Sequence, residues 1–238
     1  MMNSAATVPP VQSQIDHLVV LASSLDEGVQ WCEAVLGVTP GPGGEHALMA
    51  THNRLLSLAS PVYPQAYLEI IAINPGAVSA RLASAKRWFD MDSPEMQRRV
   101  ATGGPQLGHI VARTARAQAG VAALAGLGLD RGEVLQAWRR TPHGLLHWSI
   151  TVRQDGQRLF YGLLPTLIEW GAAHPTAGMP PSGLALQSLQ ARHPRHGALQ
   201  AAYDAIGLAG VQAMAGPPNL VATLQTPRGL VTLESSGI

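Results

Sequence analysis

The hydrophobic positions of this chain fall into short runs, and two of those runs enclose a histidine. The first is Ile15-Asp16-His17-Leu18-Val19-Val20-Leu21 and the second is Leu107-Gly108-His109-Ile110-Val111-Ala112. Short apolar runs bounded by turn signals predict strands. In the first run the two-residue period puts Ile15, His17, Val19 and Leu21 on one face. A helix is predicted next: Ser24 and Glu27 stand at capping-box spacing, and Val29, Cys32, Val35 and Leu36 form an apolar stripe. Gly37 supplies the stop. Beyond the turn Gly41-Pro42-Gly43-Gly44, strand-like segments lie near 45–50, 54–60 and 66–73, ending at Asn74-Pro75-Gly76. The first unit, 15–76, thus reads strand–helix–three strands, behind a polar N-terminal arm over 1–14.

The same order returns twice. Residues 77–106 form a charged helical connector anchored by Trp88 and Phe89 and closed by Gly103-Gly104-Pro105. The second unit, 107–175, has a strand with His109, an Ala-rich helix over about 116–127, and strands near 132–140, 145–153 and 163–170. Asp155-Gly156 is the hairpin turn expected between the last two. A third unit, 176–238, has a strand near 184–191, a helix over 197–206 and strands near 211–215, 219–225 and 229–234. Identity between units is low, so the repeat rests on element order and punctuation.

Composition narrows the class. The chain has 238 residues with 46% hydrophobic, 13% charged and a formal net charge of +1. No basic block exceeds two residues, which excludes nucleic acid and anionic membrane surfaces as expected partners. The single cysteine, Cys32, excludes an internal disulfide framework and fits a reducing compartment. No apolar window reaches membrane length, and the arm lacks a signal-peptide pattern, so the expectation is a soluble cytoplasmic protein. There is no Gly-x-Ser-x-Gly elbow, no phosphate-binding Gly-x-x-x-x-Gly-Lys loop and no His-Glu-x-x-His. Gly126-Leu127-Gly128 reads as a helix stop, and Cys32 as core.

The unit-closing strands each hold a glutamate, in Tyr67-Leu68-Glu69-Ile70-Ile71 and Thr166-Leu167-Ile168-Glu169-Trp170. With the repeated β-α-β-β-β order and the Asp-His-Leu-Val-Val opening at 16–20, the chain resembles the vicinal oxygen chelate superfamily, and more narrowly its glyoxalase-like branch. The resemblance implies an α+β fold in which curved mixed sheets of paired modules form a cup, as in glyoxalase and bleomycin-resistance proteins, with a third, degenerate module here. It implies a divalent metal held by first-strand and last-strand residues, which in this chain are His17, Glu69, His109 and Glu169. Imidazole and carboxylate donors suit Ni, Zn, Co, Mn or Fe. In the glyoxalases a metal-bound glutamate moves the proton, so Glu169 or Glu69 is the candidate base.

Taken singly, each residue also has an ordinary reading. A lone strand histidine is often a hydrogen-bonded core residue, and a lone strand glutamate usually faces solvent; the combination carries the metal reading. His46, His52, His143 and His147 compete for the site, with His46, His147 and Trp148 as candidate substrate contacts. His147 shares a face with Ser149, and that face is a candidate cavity wall. His174, His193 and His196 read as exposed turn residues. In the third unit the ligand slots fall on Gln187 and Glu234, and the unit reads as structural; its alternative is pairing with a second copy in a homodimer. Three function classes follow: a metal-dependent lyase or isomerase acting on a small carbonyl compound, an extradiol-type dioxygenase, and a metal-free small-molecule (toxin or antibiotic) binding protein. In the last, several of Trp31, Tyr63, Tyr67, Trp148, Tyr161 and Trp170 would line the cup.

Overall fold

The apolar run at Ile15 becomes the central strand of the molecule. The computed structural model describes residues 10–142 and 144–237, so most of the N-terminal arm, His143 and Ile238 lie outside the described residues. The first unit runs β1 (Ser13–Leu21), α1 (Leu25–Leu36), β2 (Glu45–His46), β3 (Thr51–Ser57) and β4 (Tyr67–Ile73). After α2 (Pro94–Gly103) come β5 (Gln106–Thr114), α3 (Ala117–Ala125), β6 (Glu133–Thr141), β7 (Gly144–Val152) and β8 (Thr166–Trp170). The C-terminal part holds β9 (Ala185–Arg192), α4 (His196–Ala205), β10 (Leu208–Ala209), β11 (Gln212–Met214), β12 (Asn219–Thr226) and β13 (Gly229–Glu234).

One curved sheet has the order β2-β3-β4-β1-β5-β8-β7-β6, with β10 added beside β1. In each of the first two units the opening strand lies parallel to the closing strand, and β1 and β5 join the units antiparallel. The sheet is mixed, α+β and nearly closed: Arg139 of β6 reaches the opposite edge, placing Nη1 3.5 Å from Asn53 Oδ1 on β3. The third unit has a strand and a helix followed by four strands where three were expected, the extra one being the two-residue β10 that pairs with β1, and its pairing also differs. Its sheet runs β11-β9-β12-β13, so the closing strand sits at the edge and not beside β9. That is the form its degeneracy takes.

The local signals at α1 hold. Ser24 caps it, accepting from the Glu27 N–H at 3.2 Å, and Gly37 ends it in the left-handed conformation at φ +76°. Two expected elements change. The segment near 45–50 is a strand only at Glu45–His46 before a turn, and Asp155-Gly156 does not link β7 directly to β8. That turn docks on the connector, where Gly156 O accepts from the Asp90 N–H at 3.0 Å.

Two cores lie on opposite faces of the sheet. Leu18, Val20, Leu68, Ile70, Ile110 and Leu167 pack against Cys32 and Leu36 of α1, Leu124 of α3 and Leu199 and Tyr203 of α4. Val19, Leu21, Ile71, Val111, Ile150 and Ile168 face the inside of the cup, where Trp88, Phe89, Met91 and Met96 of the connector segment and α2 fill the space. Buried on both faces, β1 reads as continuous apolar sequence. Among the described residues, no helix is long and apolar enough to cross a membrane.

Candidate functional site

The site begins with a bulge. Between Ile15 and His17 the pairing of β1 with β5 advances two residues on β1 for one on β5, leaving Asp16 as the extra residue. A bulge re-aims side chains. Here it turns Ile15 to the helix side with Leu18 and Val20, correcting the expectation that Ile15 shares the face of His17, Val19 and Leu21. It also brings the adjacent side chains of Asp16 and His17 together, with Asp16 Oδ1 2.6 Å from His17 Nδ1.

From there a buried polar network runs into the cup. His17 Nε2 lies 3.5 Å from Glu69 Oε2, and His46 Nε2 lies 3.7 Å from Glu69 Oε1. Asn53 Nδ2 donates to Glu69 Oε1 at 2.6 Å, and His46 Nδ1 meets Thr51 Oγ1 at 3.0 Å. The other oxygen of Asp16 accepts from Trp170 Nε1 at 2.9 Å and lies 3.0 Å from His174 Nε2. Burial by itself would favour neutral groups, but the mutual pairing wins for three of them. It holds Asp16 well below the usual carboxylate range, takes Glu69 down to about 2 and lifts His17 to about 9. His46 goes the other way, to about 4, because burial outweighs the Glu69 charge and Arg139 adds repulsion. At neutral pH the cup therefore holds an imidazolium, a carboxylate and a neutral imidazole.

The connector makes this cup small. Trp88 meets His46 edge-on at 5.1 Å and stacks on Phe89, leaving a cavity of about 30 Å³. Tyr67, Trp148 and Trp170 complete its aromatic lining. Two donors on that wall, Trp88 Nε1 and Arg139 Nε, are buried without a hydrogen-bond partner among the described residues. Buried unpaired donors are uncommon and call for an explanation, such as an absent acceptor.

The second unit departs at the matching places. The antiparallel pairing of β1 and β5 centres on Leu18 and Ile110, with His17 opposite Val111 and Val19 opposite His109. This local two-fold relates His17 to His109 and Val19 to Val111. Val19 pairs with Glu69, whereas Val111 pairs with Thr166. The counterpart of Glu69 is thus Thr166, three residues before Glu169. His109 donates from Nδ1 to Gly162 O at 2.9 Å, and its Nε2 accepts from the Thr166 N–H at 3.2 Å and lies 2.9 Å from Thr166 Oγ1. Burial and the nearby Arg131 and Arg158 charges keep His109 well below its ordinary value, hence neutral. Glu169 lies on the opposite face from Ile168 and Trp170, and its Oε2 accepts from the Ala117 N–H at 2.9 Å at the start of α3.

Of the four residues that the resemblance assigned to a metal, the structure therefore brings together His17 and Glu69, with His46 beside them, and does not bring in His109 or Glu169. The four do not converge on one point: His109 Nε2 is engaged by Thr166, and Glu169 lies on the other face of the sheet at the start of α3. Among the described residues no three His, Cys, Asp or Glu side chains are grouped to hold a metal. Trp148 faces the cavity, but alternation along β7 sends His147 out to solvent, because the wall is formed by Leu146, Trp148 and Ile150. Gln187 and Glu234 are exposed. His174 is not an exposed turn residue, since it supports Asp16, and His193 is buried at 4% exposure. Asp16, Asn53 and Arg139 had no assigned role in the sequence, and Trp88 had only that of anchoring the connector; only the polar Asp16 inside an apolar run was a signal.

A cup of this kind, built from two strand–helix–three-strand units joined through their first strands, defines a glyoxalase-like protein. The glyoxalase-like domain family model matches residues 15–207, and the chain belongs to that family. A hypothetical protein from Staphylococcus aureus has a similar structure, with TM-score 0.57, 13% identity, and coverage of 93% of this chain and 85% of that one. A methylmalonyl-CoA epimerase variant from Streptomyces coelicolor in complex with 2-nitronate-propionyl-CoA matches at TM-score 0.43 and 18% identity, covering 69% of this chain and 98% of its own. The methylmalonyl-CoA epimerase from Mycobacterium tuberculosis matches at TM-score 0.37 and 16% identity, covering 74% and 96%. No curated protein matches the sequence.

Proposed function

We propose that this chain is an isomerase or lyase of glyoxalase-like type that moves a proton on a small carbonyl compound in the first-unit cup. The compound enters as Trp88 and Phe89 of the connector move aside, because the cavity of about 30 Å³ that they leave holds no more than one water. One observation carries the reading: the Glu69 carboxyl, the His17 ring 3.5 Å from it and two buried donors without a partner among the described residues line the same cavity. Glu69 accepts the proton from the carbon beside the carbonyl. The C–H electron pair moves into the new C–C double bond and the carbonyl pair moves onto oxygen. His17, Trp88 Nε1 and Arg139 stabilise the enolate oxygen. Where the deprotonated carbon bears a hydroxyl, the hydroxyl proton passes to that oxygen, the hydroxyl carbon becomes the new carbonyl, and Glu69 returns the carbon-bound proton to the neighbouring carbon. A carboxylate held this acidic is a weak base, so stabilisation of the oxygen must supply most of the catalysis. Neighbouring groups whose pKa values are pushed apart are a common acid–base arrangement. No step is routed through a metal.

The test is deuterium uptake. Small 2-oxo aldehydes, their thiol adducts and 3-oxo acids are incubated with the protein in D2O, and exchange at the carbon next to the carbonyl is followed by NMR. Glu69→Gln is expected to slow exchange by at least about 100-fold, the usual scale for losing a general base. No exchange above the background rate with any of these compounds would remove the proposal. Tight binding without exchange would favour the metal-free binding protein, for which the Tyr67, Trp148 and Trp170 walls are the supporting feature.

A further inference from the structure

A second cavity, of about 800 Å³, lies between α2, the segment before β8 and the loop joining β9 to α4. It shares no lining residue with the cup, and its size falls in the range of small-molecule sites. One wall is a strained turn: Phe160 and Tyr161 have φ of +51° and +57°, followed by Gly162 at +85°. Phe89 and Asp90, both at φ +59°, form a second such pair, tied to the turn by the ion pair of Arg158 Nε with Asp90 Oδ2 at 2.9 Å. Consecutive non-glycine residues in this region are costly and concentrate at functional sites. The strain leaves Tyr161 53% exposed beside the cavity.

The lining is also cationic. Among the described residues three arginines, Arg99, Arg158 and Arg195, line the cavity with two carboxylates, Asp90 and Glu95, leaving one positive charge. Arg158 pairs with Asp90 and Arg99 with Glu95 at 3.3 Å. Arg195 has no carboxylate partner among the described residues, and its guanidinium lies over the Phe160 ring, 4.9 Å from the centroid. His193 is buried, and its Nδ1 accepts from the Arg195 N–H at 2.9 Å. That bond fixes the proton of the neutral ring on Nε2, which has no partner among the described residues. The Phe160 and Tyr161 rings flank it at 5.0 and 6.0 Å.

We propose that this cavity is a second ligand site, separate from the cup, for a small organic anion carrying a flat ring. The anionic group, carboxylate or phosphate, meets Arg195 and His193 Nε2–H, and the ring lies on Tyr161. Guanidinium and imidazole donors recognise anionic oxygens by charge-assisted hydrogen bonds, and an aromatic face supplies low-entropy contact area.

Full-length 15N-labelled protein is titrated with phenyl phosphate and benzoate, with inorganic phosphate and phenol as controls. Saturable shifts are expected at the amides of 158–162 and 193–197 with one or both aromatic anions, and weaker binding of both controls. The stronger of phenyl phosphate and benzoate identifies the anionic group. Arg195→Ala, at an exposed position and checked by an unchanged thermal midpoint, and His193→Gln are each expected to weaken binding about tenfold, the scale of one charged hydrogen bond. Shifts confined to the cup, affinity unchanged in both variants, or inorganic phosphate binding as tightly as the aromatic anions would each overturn the assignment.

Discussion

Asp16 shows how one residue sets the electrostatics of the cup. Its two oxygens are shared between His17 on one side and Trp170 and His174 on the other, so it stays ionised although fully buried. The consequence is a stability profile with two limbs. His17 rises from an ordinary 6.5 to about 9, so its contribution is complete below 6.5 and is lost as pH rises through 9. Glu69 falls from 4.5 to about 2, so its contribution is present above 4.5 and is lost as pH drops through 2. Thermal midpoints should therefore be highest between these limits. Asp16→Asn should move the alkaline limb to lower pH, with the His17 ring titrating earlier by NMR; an unmoved limb would contradict the network. Glu169 makes the opposite case. Its carboxylate serves the Ala117 N–H of α3, whose cap residue Arg116 offers no side-chain cap bond. Glu169→Gln is expected to cost about 1 kcal/mol in denaturant unfolding, the scale of a lost helix cap, while deuterium exchange is unchanged.

At the scale of elements, the pattern of strands and helices was legible because each has local punctuation, such as Ser24 and Gly37 around α1. The facing of the strands was not. With apolar residues on both sides of β1, the two-residue period vanishes, and a one-residue bulge inverts the face without leaving a trace in hydropathy. Ile15 was misplaced for that reason, and Glu169 was matched to Glu69 where the register selects Thr166. His17 and Glu69 were recoverable because a charged or ionisable group in a strand buried on both faces needs a reason, whereas His46 lies in the short edge strand β2 beside the exposed Glu45. The left-handed turn before β8 is a further device of this kind. Gly162 at φ +85° gives its carbonyl to His109, and a Cβ there would stand 2.1 Å from Gly108 O. Gly162→Ala should cost about 2 kcal/mol or more, since neither the backbone conformation nor the contact can be kept. A loss well below that, measured by denaturant unfolding, would mean that the turn relaxes freely.

For the molecule as a whole, the third unit looks separable in sequence yet is built into the first two. Tyr203 of α4 is fully buried and its hydroxyl donates to Leu163 O at 2.8 Å. Ser13 Oγ donates to Ile206 O at 2.8 Å, β10 adds to β1, and the Leu186 N–H donates to Leu58 O at 2.9 Å. Leu186, Leu199, Leu220 and Leu224 belong to the same apolar cluster as Leu18, Leu68 and Leu167. A domain that folds alone has its own core; here one core spans all three units, and the family match itself runs through α4 to residue 207. The chain should therefore unfold in a single calorimetric transition. Tyr203→Ala, which empties a large volume and strands the Leu163 carbonyl, should cost about 3–5 kcal/mol and lower stability everywhere, including the amide-exchange protection of β1 and β4 far from the substitution. Two transitions, or loss of protection confined to residues 184–237, would instead show that the third unit is an independent body resting on the cup.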